Sequence, residues 1–183
     1  MKIIIVSDIF GLTDALVEFS KQIGPNPIIL DPYMGKLNAF YDEQVAYQYF
    51  TENVGLNNYS TYVFSTLSKL KEPAFIIGFS VGAAAIWRHS DKLSSTYIKH
   101  AHLFYGSQIR NMLAVSPNIP INVIVPKLEE HFSVSGMAKS LKKLNNVSVE
   151  QCESLHGFMN RLSVNFNVSA YEAYISRLSP QAA

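Results

Sequence analysis

The sequence of 183 residues lacks several features that would identify whole classes of protein. Its single cysteine, Cys152, excludes an intramolecular disulfide and a cysteine-rich zinc site. Fifteen basic and fourteen acidic residues give a formal charge of +1, so no strong field attracts nucleic acid or an anionic membrane. No apolar stretch approaches the roughly 20 residues of a membrane span, and the run at residues 3–6 is too short for a signal peptide. We therefore expect a cytoplasmic monomer or homodimer that binds neither nucleic acid nor membrane.

Motifs for nucleotides and metals are also missing. No two of the nine glycines lie two positions apart, so there is no G-x-G-x-x-G dinucleotide loop, and there is no Walker loop. His100 and His102 share one face of a predicted strand and could form a metal pair, but no third ligand is evident. We predict neither a metal nor a cofactor.

Apolar residues, by contrast, are abundant. Hydrophobic residues make up 48% of the chain and charged residues 16%, a balance typical of a chain that buries a core. Aromatic residues reach 12%, with ten Tyr and eleven Phe. We expect some of these rings to line a pocket.

Short apolar runs of strand length alternate with segments of helical periodicity. Strands are predicted at residues 3–6, 27–30, 74–78, 98–105, 121–125 and 147–151. Helices are predicted at residues 13–23, 43–53, 60–71, 81–89, 135–144 and 168–178. This alternation predicts an α/β fold in one domain, residues 1–183: about six mostly parallel strands with helices on both faces, and a frayed tail at 179–183.

In such a fold, ligands bind beyond the carboxyl ends of the strands. There the segment Gly78-Phe79-Ser80-Val81-Gly82 follows a predicted strand and opens a predicted helix. A G-x-S-x-G sequence in that context is typical of a nucleophile elbow, in which small neighbours permit a strained serine backbone. The alternative is a glycine-flanked helix with Ser80 as its N-cap.

A serine nucleophile needs a base and an acid. His156 follows the last predicted strand, where the chain order nucleophile, acid, histidine places the base. The fourth strand is followed by Tyr105-Gly106-Ser107 without a carboxylate, whereas the fifth is followed by Glu129 and Glu130. Either glutamate could orient the histidine.

Five motifs together resemble the dienelactone hydrolase family of α/β-hydrolases, over residues 2 to about 178. They are Asp8-Ile9-Phe10-Gly11, Asp31-Pro32-Tyr33, the Ser80 segment, Tyr105-Gly106 and His156-Gly157-Phe158. The family and its relatives usually have extra leading strands, so the resemblance implies a compact version that lacks the leading antiparallel strands.

The resemblance also implies residue roles. The oxyanion hole would be the backbone N–H groups of Ile9 and Val81. The family's acid usually stands just before a His-Phe pair, which favours Glu130 over Glu129. The resemblance also places the Asp8 carboxylate near the nucleophile, as a substrate-binding position. Independently of the resemblance, we expect the pocket walls to be Phe10, Tyr33, Phe79, Tyr105 and Phe158. Arg161 could pair with a carboxylate on the substrate or be a solvated surface charge.

The name-giving enzymes use Cys where this chain has Ser80. The expected function is therefore a serine carboxylester hydrolase that cleaves a small ester or thioester substrate through an acyl-enzyme. The alternatives are a non-catalytic binding protein of the same fold, a lactonase or a small peptidase.

Overall fold

Six parallel strands form one sheet in the computed structural model, which describes residues 1–182. The strands are β1 (Lys2–Val6), β2 (Ile28–Leu30), β3 (Ala74–Phe79), β4 (Ile98–Phe104), β5 (Ile121–Val125) and β6 (Val147–Gln151). Their order across the sheet is β2-β1-β3-β4-β5-β6, and every neighbouring pair is parallel. The predicted α/β fold class is confirmed, with all six described strands parallel rather than most of them.

Within the described residues, five α-helices lie between strands and a sixth follows β6. They are α1 (Asp14–Ile23), α2 (Glu43–Asn53), α3 (Gly55–Leu67), α4 (Val81–Arg88), α5 (Val134–Leu141) and α6 (Val168–Ala182), and short 3-10 helices follow α4 at Ser90–Lys92 and β4 at Ser107–Asn111. No helix in residues 1–182 has both the length and the hydropathy that a bilayer crossing requires.

Several predicted helix boundaries were wrong, and α3 and α5 end at Leu67 and Leu141, before the expected positions. The third helix begins at Gly55, five residues before the expected position, because Gly55 takes a positive φ of 71° and lets α3 start directly after α2. The last helix continues to Ala182, so the frayed tail expected from residue 179 does not begin there. Residue 183 lies outside the described residues.

The sheet is covered on both faces because its strands alternate side chains between two cores. Ile4 and Val6 of β1 belong to the core that includes side chains of α3, α4 and α5, whereas Ile3 and Ile5 belong to the core that includes side chains of α1 and α6. All four side chains are at most 2% exposed. Because helices cover both faces, a site can form in the loops at the carboxyl edge of the sheet.

Helix α4 lies against β1 at a distance that only glycine permits. A Cβ on Gly82 would collide with the backbone carbonyl oxygens of Val6 and Ser7. Backbone atoms of a central strand cannot move aside as the end of a side chain can. The first turn of α4 is therefore pinned to the end of β1.

Replacement of Gly82 by alanine is expected to lower the free energy of unfolding by about 3 kcal/mol or more, because overpacking against backbone forces strand and helix apart. Gly136→Ala in α5 is the matched control. There the nearest contact of a new Cβ would be Ser133 Oγ at 3.3 Å, and the expected change is under about 1 kcal/mol. Urea unfolding of both variants measures the difference. Equal stabilities would contradict the close contact at Gly82.

Candidate active site

Ser80 occupies the turn between β3 and α4 in a strained backbone conformation. Its φ is 49° and its ψ is −113°, a region that non-glycine residues rarely adopt. Its N–H donates to the Phe104 carbonyl at 2.9 Å, which holds the turn against β4. Ser80 is the N-cap residue of α4, but its side chain makes no capping hydrogen bond to the helix, so the hydroxyl does not serve as a cap. The hydroxyl is instead free to point into the cleft.

His156 reaches this hydroxyl from the loop after β6. Its Nε2 lies 3.0 Å from Ser80 Oγ, and its Nδ1 lies 2.7 Å from Glu129 Oε1. Because a carboxylate only accepts, the histidine proton belongs on Nδ1 and the Nε2 lone pair faces Ser80. Asn165 Nδ2 donates to the His156 carbonyl at 3.0 Å and fixes the loop. The three side chains form one continuous chain of hydrogen bonds.

The glutamate that contacts His156 is Glu129, so the geometry contradicts the preference for Glu130. Glu129 and Phe132 pair as an isolated antiparallel bridge, and Glu130 and His131 form the turn between them. Glu129 therefore faces inward, with its side chain 16% exposed, whereas Glu130 lies exposed at the tip. The two-residue turn decides which glutamate meets the histidine.

The surroundings of Glu129 favour its charged form. Burial by itself raises the pKa of the carboxyl, but hydrogen bonds from His156 and Ser107, together with the nearby Arg110 charge, outweigh it. The net pKa of Glu129 is lowered from its ordinary value. The carboxylate is thus ionised and able to stabilise positive charge on His156.

The loop after β1 lies beside Ser80, as the resemblance implies. Ile9 and Val81 both line the cleft that contains Ser80. Tyr33 was expected in the cleft wall, but its hydroxyl donates to the Ile9 carbonyl at 2.6 Å, and its ring packs on Phe40 and Tyr49. Tyr33 therefore stabilises the loop after β1 and does not line the cleft itself.

Asp8 organises the same loop. Its Oδ1 accepts from the Phe10 N–H at 3.0 Å and its Oδ2 accepts from Asn160 Nδ2 at 2.7 Å. Burial is the largest influence on Asp8 and raises the pKa of its carboxyl, although these hydrogen bonds oppose it. Asp8 lies in the cleft and joins the loops after β1 and β6.

The cleft has a volume of about 610 Å³ and opens at the carboxyl edge of the sheet. Of the expected wall residues, Asp8, Phe10 and Tyr105 line it. Phe79 and Arg161 instead line a smaller cavity, which also contacts Asp8 and Tyr105. Phe158 is completely buried and packs on Tyr105 at 5.4 Å between ring centres. It supports the wall from within the core.

No protein-family model matches the chain. The uncharacterized protein YczH of Bacillus subtilis (strain 168) is 28% identical over 172 residues, which cover 90% of this chain and 84% of that protein.

Two solved structures share the architecture at low sequence identity. A candidate dienelactone hydrolase from Klebsiella pneumoniae has a TM-score of 0.72 at 14% identity, over 96% of this chain and 83% of that one. Mouse alpha/beta hydrolase domain-containing protein 10 has a TM-score of 0.65 at 10% identity, over 98% of this chain and 88% of that one. The chain has the α/β-hydrolase fold.

In this α/β-hydrolase fold the cleft also contains residues that sequence reasoning missed. Glu43 comes from the start of α2, Ser107 and Arg110 from the 3-10 helix after β4, and Asn160 from the loop after β6. Ser107 and Asn160 could have been identified as cleft residues from the sequence, because each of them follows a predicted strand. Nothing in the sequence relates Glu43 to the cleft, because α2 follows the long loop after β2.

The two histidines of β4 lie away from this cleft. The His100 and His102 rings are 4.6 Å apart, and His102 also packs on Phe75. Within residues 1–182, no third His, Cys, Asp or Glu joins them in a group that could hold a metal ion.

Proposed function

We propose that this chain is a serine hydrolase of the dienelactone hydrolase type, which cleaves a small carboxylic ester or thioester through an acyl-enzyme on Ser80. The observation that carries the proposal is the continuous chain from Ser80 Oγ to His156 at 3.0 Å and from His156 to Glu129 at 2.7 Å. The strained turn at Ser80 supports it, because strain of this kind is retained where function requires it.

The likenesses favour the same class of reaction. The candidate dienelactone hydrolase from Klebsiella pneumoniae shares the fold over nearly the whole of this chain. The motifs at Asp8, Ser80 and His156, each of which follows a strand, also resemble those of the dienelactone hydrolase family. Serine in place of the cysteine of the name-giving enzymes favours an ester or thioester over a dienelactone.

In the proposed acylation, His156 Nε2 takes the proton of Ser80 Oγ while that oxygen attacks the carbonyl carbon. The oxyanion that forms would accept from the N–H groups of Ile9 and Val81, at the positive end of α4. The charged Glu129 stabilises the imidazolium. His156 then gives its proton to the leaving oxygen or sulfur, and the acyl group stays on Ser80.

Deacylation repeats these roles with water as the nucleophile. His156 takes a proton from water, the hydroxide attacks the acyl carbonyl, and the proton returns to Ser80 Oγ. The acid product leaves from a cleft of about 610 Å³, which suits a small substrate.

Hydrolysis of p-nitrophenyl acetate tests the nucleophile. Ser80→Ala removes the attacking oxygen and is expected to lower kcat/KM by about 10³-fold or more, since the remaining binding groups cannot form an acyl-enzyme. Ser135→Ala is the matched control, because Ser135 lies exposed on α5. Wild-type activity in Ser80→Ala, or no hydrolysis by the wild type, would contradict the proposal and favour a binding protein of the same fold.

Two glutamine variants test the acid. Glu129→Gln keeps the shape of the side chain but removes the charge facing His156, so kcat is expected to fall by about 10³–10⁴-fold. Glu130→Gln changes an exposed residue of the adjoining turn and is expected to retain kcat within about threefold. Steady-state kinetics of the pair decide the assignment. A larger loss in Glu130→Gln would refute the role of Glu129.

A further inference from the structure

Ser107 touches both the acid and the histidine of the proposed triad. It is the first residue of the 3-10 helix after β4 and lines the cleft. Its hydroxyl donates to Glu129 Oε1, and its Oγ lies 3.0 Å from His156 Nδ1. No role in the hydrolysis described above uses this hydroxyl.

The protons at this junction can be assigned. Glu129 Oε1 accepts from His156 Nδ1 at 2.7 Å and from the Ser107 hydroxyl as well. A serine hydroxyl has one proton and two lone pairs, so with its proton on Glu129 it presents a lone pair toward the Nδ1–H. The hydroxyl therefore favours the ionised carboxylate and the Nδ1–H tautomer together.

Arg110 holds Ser107 in this position and connects it to the turn that carries the acid. Arg110 Nη1 donates to the Ser107 carbonyl at 2.7 Å, and its guanidinium lies 4.8 Å from the centre of the Phe132 ring. Phe132 is the bridge partner of Glu129. The loops after β4 and β5 are thereby joined on either side of the carboxylate.

Glutamate needs this support because of its length. It has one more torsion than aspartate, and a partly exposed side chain loses rotamer freedom when it is held in one geometry. We propose that Ser107 is a positioning residue that fixes the Glu129 carboxylate on His156 Nδ1. This role rests on the proposed hydrolase function, since it acts through the triad.

Kinetics of two variants on p-nitrophenyl acetate test the role. Ser107→Ala is expected to lower kcat by about tenfold or more, the range for a lost hydrogen bond to a charged group, with KM within about twofold. Ser107→Thr keeps the hydroxyl and is expected to restore most of kcat. Wild-type kcat in a folded Ser107→Ala, or no recovery in Ser107→Thr, would overturn the proposal.

A second readout does not need turnover. Carbon-13 NMR titration of the Glu129 carboxyl is expected to show a higher pKa in Ser107→Ala than in the wild type, because the Ser107 hydrogen bond lowers that pKa. His156 and Arg110, the charged groups that face Glu129 from other loops, are unchanged in this variant. An unchanged pKa would overturn the role of Ser107. An absence of hydrolysis in the wild type would instead contradict the proposed function, and the titration would still decide this role.

Discussion

The close approach of α4 to β1 is the contact on which the rest of the site depends. Gly82 lets the first turn of the helix lie against the carbonyl groups of Val6 and Ser7, where a Cβ would collide. Gly78 also lies close under the helix, since its Cβ would meet the Ala83 Cα at 3.0 Å. With strand and helix so near, the single residue between them must turn sharply. Ser80 takes that turn with a φ of 49°.

The parallel sheet brings the remaining groups to this serine. All six strands end at one edge, so loops far apart in sequence meet there. His156 arrives from the loop after β6, Glu129 from the loop after β5, and Ile9 from the loop after β1. Buried aromatic rings support them from below, as Tyr105 does with its ring 4.9 Å from that of His156. The buried core therefore positions Ser80, His156 and Glu129 without forming part of their chain of hydrogen bonds.

Much of this arrangement could be predicted from the sequence. Continuous apolar runs such as residues 3–6 and 74–78 predicted buried parallel strands, because a strand covered on both faces has no polar side. Glycines around Ser80 predicted the sharp turn. The position of His156 after the last strand followed from chain order in such folds.

The wrong predictions concern features that tertiary contacts decide. The choice between Glu129 and Glu130 depends on a two-residue turn closed by Phe132, and adjacent residues in a loop carry no periodicity that reveals it. Phe158 is aromatic, as residues that line pockets often are, but its side chain is completely buried. Glu43 lines the cleft although the long loop after β2 separates its helix from any strand end.

The most direct test of the account is covalent reaction of the wild-type protein with a fluorophosphonate, followed by mass spectrometry of the intact chain and of its peptides. The account predicts one phosphonyl group per chain, on Ser80, because the Ser80 hydroxyl faces the basic Nε2 of His156 at 3.0 Å beside two candidate oxyanion donors. An unmodified chain, or a label on another residue, would contradict it.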